Sequence, residues 1–196
     1  MDPVRSGQLT RFSVRAYGLM VLIVIALCGY LTATDLYGQT GDKPIPARVG
    51  DRAPDFSLRD FGGATFKLSD RTGKKNLVLW FTNLCEGCQS EIPTVLQLAA
   101  RYKQRGVEIV AVSLLGKDRK TVEAVMKQNN VSFRFLYDPD GSATRLYSGK
   151  YVEGTCPLKN IYIVGKDGKI ALASHLPGIR MDDLTVQLNT LTGGKP

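Results

Sequence analysis

"LVLWFTNLCEGCQSEIP", residues 77–93, joins an uncharged apolar run to two cysteines, Cys85 and Cys88, with two residues between them and Pro93 five residues further on. The run Leu77 to Thr82 is rich in β-forming side chains and reads as a strand buried on both faces. Immediately beyond the cysteines, Ile92, Val95, Leu96, Leu98, Ala99 and Tyr102 recur at helical intervals until Gly106. The pair therefore sits where a buried strand hands over to a helix. Open α/β sheets place their sites at that end of a strand. A cysteine pair can be an exchanging disulfide, half of a metal site, or a structural staple. A loop this short makes a poor staple, because the stabilisation a cross-link contributes grows with the loop it closes.

Outward from that junction the chain alternates. "VEIVAVSLL" (107–115) is a second buried strand, "DRKTVEAVMKQNN" (118–130) a helix, "FRFLYD" (133–138) a strand and "SATRLYSG" (142–149) a short helix. "NIYIVG" and "KIALASHL" flank the turn "KDG", and "MDDLTVQLNTL" (181–191) closes as a helix. Upstream, "DFSLRDFGGATFKLSD" predicts a small N-terminal β-hairpin turned at Gly62-Gly63. Strands alternating with helices and ending in an antiparallel pair predict an α/β fold, a mixed sheet flanked by helices.

The N-terminus predicts export. Residues 16–33, "AYGLMVLIVIALCGYLTA", carry no charge, and Arg5, Arg11 and Arg15 precede them. Residues 1–15 read as a cytoplasmic basic n-region and 16–33 as a single transmembrane signal anchor. Residues 34–48 read as a linker and 49–196 as one domain on the periplasmic, extracytoplasmic side of the cell membrane. A cleaved signal peptide is the alternative. Lipidation at Cys28 is disfavoured by the bulky Leu27 before it. The formal charge of +8 is spread along the chain with no dense basic stripe, which argues against a nucleic-acid partner.

Of four cysteines, Cys28 lies in the apolar segment, leaving Cys85, Cys88 and Cys156. An odd number in an oxidising compartment leaves one thiol unpaired or reactive. At the start of a helix, unpaired N–H groups favour an anion, so Cys85 is expected to be the exposed nucleophile and Cys88, one turn in, the shielded resolving thiol. Glu86 opposes the thiolate, which predicts a moderately reducing pair. Pro93 is expected to kink the helix. Glu91 is either a solvated acid or a proton-handling group near Cys88.

The Cys-x-x-Cys-x-x-Glu-x-Pro pattern, with "VGDRAPDFSL" before it and "IYIVGKDGKI" after it, resembles the thioredoxin superfamily, and within it the membrane-anchored TlpA/ResA-type thiol–disulfide oxidoreductases with a redoxin domain. The resemblance spans residues 48–191. It implies a thioredoxin-like fold, catalysis by Cys85 and Cys88, and no cofactor. It also implies reduction of disulfides in exported proteins, apocytochrome c among them, with electrons from a membrane donor.

The chain departs from that family in three places. Leu84 precedes Cys85 where tryptophan is usual, and Leu79 stands where thioredoxins bury an acid. The family's cis-proline position falls on Lys159, so either Pro157 takes the role across a longer loop or the feature is absent. Cys156, beside Pro157, is then either a small buried hydrophobe, a partner in an alternative disulfide, or the third thiolate of a copper site with Cys85 and Cys88, since the chain also resembles Sco-type copper chaperones. His175, the lone histidine, reads as structural. A peroxiredoxin-like peroxidase is a further reading. Thr82 and Cys85 fit its pattern, Val78 replaces its proline, and Lys159 would stand in for its arginine.

Overall fold

The computed structural model describes residues 46–194. The expected n-region, anchor and all but the end of the expected linker lie outside them. No helix among the described residues is long and apolar enough to cross a membrane.

Seven strands form one sheet in the order β2-β1-β5-β4-β3-β6-β7. They are β1 (Ser57–Asp60), β2 (Thr65–Lys67), β3 (Asn76–Thr82), β4 (Val107–Ser113), β5 (Arg134–Tyr137), β6 (Ile161–Val164) and β7 (Ile170–Ser174). β3, β4 and β5 run parallel, as the helical crossovers between them require. β1 joins β5 antiparallel, and β6 and β7 extend the other side antiparallel. The sheet is thus mixed, as the order of elements predicts. β1 and β2 pair antiparallel across a turn in which Gly63 takes φ 91°, a value that favours glycine.

Strand alternation sorts the core into two layers. Val78 and Trp80 of β3, Ile109 and Ala111 of β4, and Ile161 and Ile163 of β6 face one side. They pack there against helices α2 (Ile92–Tyr102), α3 (Arg119–Gln128) and α5 (Met181–Thr192). Leu77, Leu79, Phe81, Val110, Val112 and Tyr162 face the other, against Phe66 of β2 and Tyr147 of α4 (Ser142–Ser148). Every residue of β3 is buried, so the central strand holds whatever its C-terminal end presents.

The helix after β3 is not one kinked rod. A five-residue helix, α1 (Glu86–Ser90), stops at Glu91, and α2 starts afresh at Ile92. Pro93 stands in the first turn of α2, where its missing N–H costs nothing. The expectation of a kink inside a continuous helix is therefore corrected: the proline opens a second helix.

Candidate active site

β3 delivers the chain to the site under tight local control. Thr82 is fully buried, and its Oγ1 accepts the N–H of Leu84 at 3.1 Å. Leu84 takes φ 53°, the left-handed region that a leucine rarely adopts, and buries its side chain in the core. The Asn83 side chain then folds over the turn, and its Oδ1 accepts the Cys85 N–H at 3.1 Å. This is an Asx-type bond, two residues on in the chain. Cys85 is the N-cap of α1 and is exposed; Cys88 is buried one turn later. The expected division between an open and a shielded thiol is what the backbone presents.

The loop from Gly149 to Asn160 brings in the third sulfur. Gly154 donates its N–H to Leu114 O at 2.7 Å and accepts Asn83 Nδ2–H at 2.8 Å. Tyr151 lies over Gly141, whose left-handed backbone and lack of a Cβ leave room for the ring. These anchors set Cys156 Sγ 3.7 Å from Cys88 Sγ and 2.9 Å from Asn83 Oδ1. Asn83 thus bridges both cysteine segments. Cys156 is half-buried and lines a cavity of about 190 Å³ with Lys150, Tyr151, Thr155, Pro157 and Leu158.

The two close sulfurs polarise each other. The hydrogen bond from Cys88 S–H to Cys156, reinforced by burial, pushes the Cys88 thiol far up; contacts from Thr82 and Cys85 offset part of that. The same hydrogen bond brings Cys156 down to about 7, against a burial penalty and with help from the Asn83 main-chain N–H. The Asn83 Oδ1 accepts from the protonated Cys156 thiol and so works the other way. Above about pH 7 the arrangement is a Cys88 thiol donating to a Cys156 thiolate; below it Cys156 keeps its proton and donates it to Asn83 Oδ1.

Three expectations need correction or narrowing. Pro157 is not the cis residue: among the described residues the one cis peptide bond is Leu176–Pro177. The Pro177 ring lies next to Gly87, between the two cysteines; a Cβ added to Gly87 would be 3.7 Å from Pro177 Cγ. Asn160 holds that segment, donating from Nδ2 to Leu176 O and accepting the Leu176 N–H. Glu91 is half-buried at the break between α1 and α2, and its carboxylate has no hydrogen bond or ion pair among the described residues. Its main chain, not its side chain, meets the cysteine segment, through Glu91 N–H to Cys88 O at 3.2 Å. His175 precedes the Leu176–Pro177 bond with its Nδ1 buried and unpartnered.

Among the described residues no group of three or more His, Cys, Asp or Glu side chains is arranged to hold a metal ion. Val78 is buried in β3 and Lys159 is exposed.

Asn83, Asn160 and Pro177 are the residues that sequence reasoning missed. For Asn83 a signal existed: an asparagine two residues before a helix's first N–H is a recognisable turn former.

Comparison with known proteins agrees with this geometry. Residues 49–173 match the AhpC/TSA family. Thiol-disulfide oxidoreductase ResA of Bacillus thuringiensis subsp. konkukian is 31% identical over 150 residues, covering 76% of this chain and 82% of that one. The protein of the same name from Oceanobacillus iheyensis is 34% identical over 164 residues, covering 82% and 79%. Among solved structures, a Chlorobium tepidum chain bearing the name thiol:disulfide interchange protein DsbE superposes with a TM-score of 0.61 at 30% identity. That match covers 75% of this chain and 99% of that one.

Proposed function

The chain belongs to the AhpC/TSA family, which its residues 49–173 match, and from that premise we propose that this thiol–disulfide oxidoreductase works through Cys85 and Cys88 on disulfides of exported proteins. The observation that carries the reading is the contrast between an exposed Cys85 at the start of α1 and a buried Cys88 one turn behind it.

Cys85 attacks a substrate disulfide as the thiolate. One substrate sulfur leaves as a thiol, and the other is held in a mixed disulfide with Cys85. Cys88 then attacks Cys85 Sγ, releases the second substrate sulfur and closes the Cys85–Cys88 disulfide. For that step Cys88 must lose its proton. Leu79 occupies the place of a buried acid, and the acceptor at hand is Cys156, 3.7 Å away. Pro177 beside Gly87 forms one wall of the surface on which substrate lies.

The exchange runs on sulfur alone and asks for no cofactor. Export rests on the apolar segment 16–33 behind three arginines, which would anchor the domain on the outer face of the cell membrane and bring it near a membrane electron donor. Apocytochrome c is the narrower substrate that the family resemblance implies.

The test is reduction of insulin disulfides by the full chain with dithiothreitol as electron source. Cys85→Ser is expected to fall to the uncatalysed rate. Retention of the wild-type rate would remove Cys85 from the nucleophile's role.

A further inference from the structure

The mechanism above uses Cys156 only as a proton acceptor, yet its placement fits more than that. Its sulfur is in contact with the buried sulfur of the exchanging pair. It comes from a loop whose residues Val152, Glu153, Gly154 and Thr155 are all exposed, so it can shift more freely than a helical cysteine. A disulfide needs the sulfurs at about 2.05 Å. From 3.7 Å the approach required is roughly 1.7 Å, a loop adjustment rather than a refolding. Cys156 also lines a cavity whose walls include neither Cys85 nor Cys88.

We infer that Cys156 is a third redox-active thiol, and that Cys88 can pass its disulfide bond from Cys85 at the surface to Cys156 in the loop before β6. The inference rests on Cys85–Cys88 being the exchanging pair. The Cys156 thiolate attacks Cys88 Sγ in the Cys85–Cys88 disulfide. The Cys88–Cys156 bond forms, the Cys85–Cys88 bond breaks, and Cys85 leaves as a thiolate that takes a proton from solvent. One disulfide and one free sulfur exist before and after, so the step needs no oxidant or reductant. With Cys88 held in the disulfide and no longer donating, the Asn83 main-chain N–H and the Asn160 side chain remain to stabilise the attacking Cys156 thiolate. The product is an oxidised protein with a free Cys85 thiol at its surface.

The experiment oxidises the full chain with diamide, quenches in acid, alkylates and maps disulfides by mass spectrometry in the wild type, Cys85→Ser and Cys85→Ser/Cys156→Ser. Circular dichroism confirms that each variant is folded. Wild type is expected to show Cys85–Cys88 together with a measurable fraction of Cys88–Cys156. Cys85→Ser is expected to convert almost wholly to Cys88–Cys156, and the double variant to form no intramolecular disulfide. If folded Cys85→Ser leaves Cys88 and Cys156 alkylatable while wild type forms Cys85–Cys88, the inference fails and the proposed function stands. If wild type forms neither a Cys85–Cys88 nor a Cys88–Cys156 bond, both fail.

Discussion

Two segments meet at this site and are built on opposite plans. Residues 82–90 hang from the fully buried central strand, and their path is set by Thr82 Oγ1, the Asn83 amide and the start of α1. Residues 149–160 contain no strand or helix among them, and what holds them is Gly154 between Leu114 and Asn83, and Tyr151 over Gly141. The first segment presents sulfur in a fixed place. The second brings a sulfur of altered proton affinity to the first and can yield when chemistry demands it. A rigid nucleophile and a compliant partner together suit a reaction in which one bond must both form and break.

The contrast is exposed first by removing the sulfur both segments share. Cys88→Ser is expected to stop turnover at the mixed disulfide, with Cys85 trapped on substrate and visible by mass spectrometry; full turnover would detach Cys88 from the resolving step. Next in size is Cys156→Ser. Loss of a positioned base commonly costs 10²-fold or more, so resolution of the mixed disulfide is expected to slow by about 10²-fold in rapid-quench kinetics. The pH profile sharpens the point. With Cys156 brought down to about 7, the base form prevails above that pH. Wild-type resolution is expected to rise through pH 7 and level off above it, and the serine variant to lack that inflection.

Asn83→Ala attacks the bridge between the segments. It removes the partner of Cys85 N–H, of Cys156 S–H and of the Gly154 carbonyl, and is expected to cost about 2–3 kcal/mol in urea unfolding, with earlier proteolysis in residues 149–160. The smallest effect is expected at Glu91→Gln. Its carboxylate makes no hydrogen bond among the described residues, so insulin reduction is expected to change by less than about threefold, far below the general-base range. A drop of 10²-fold would restore the proton-handling role.

The same contrast explains what was legible in the sequence. The strand–cysteine–helix junction is contiguous, and its periodicity changes at the cysteines, so both the fold class and the exposed and shielded thiols could be read from the residues. The mixed sheet followed from buried apolar runs alternating with helical spacing; that it is thioredoxin-like was implied by the resemblance carried by the Cys-x-x-Cys-x-x-Glu-x-Pro motif. The helix break at Glu91 did not follow, because the apolar spacing carries on past it. The contact of Cys88 with Cys156 spans 68 residues and arrives through a loop without periodicity, so no local pattern encodes it. The proline was misassigned for a related reason. The family resemblance implied a cis-proline just before β6, where Pro157 stood two residues off the expected position, whereas Pro177 reaches Gly87 from beyond β7.

The Asn83 oxygen accepts from two donors at once, the Cys85 amide and the Cys156 thiol, one on each lone pair. Whatever consumes the thiol hydrogen leaves that oxygen to the amide alone. The chemical history of the loop is therefore written onto a main-chain proton of the cysteine turn, where hydrogen–deuterium exchange at residue 85 can read it without touching a sulfur.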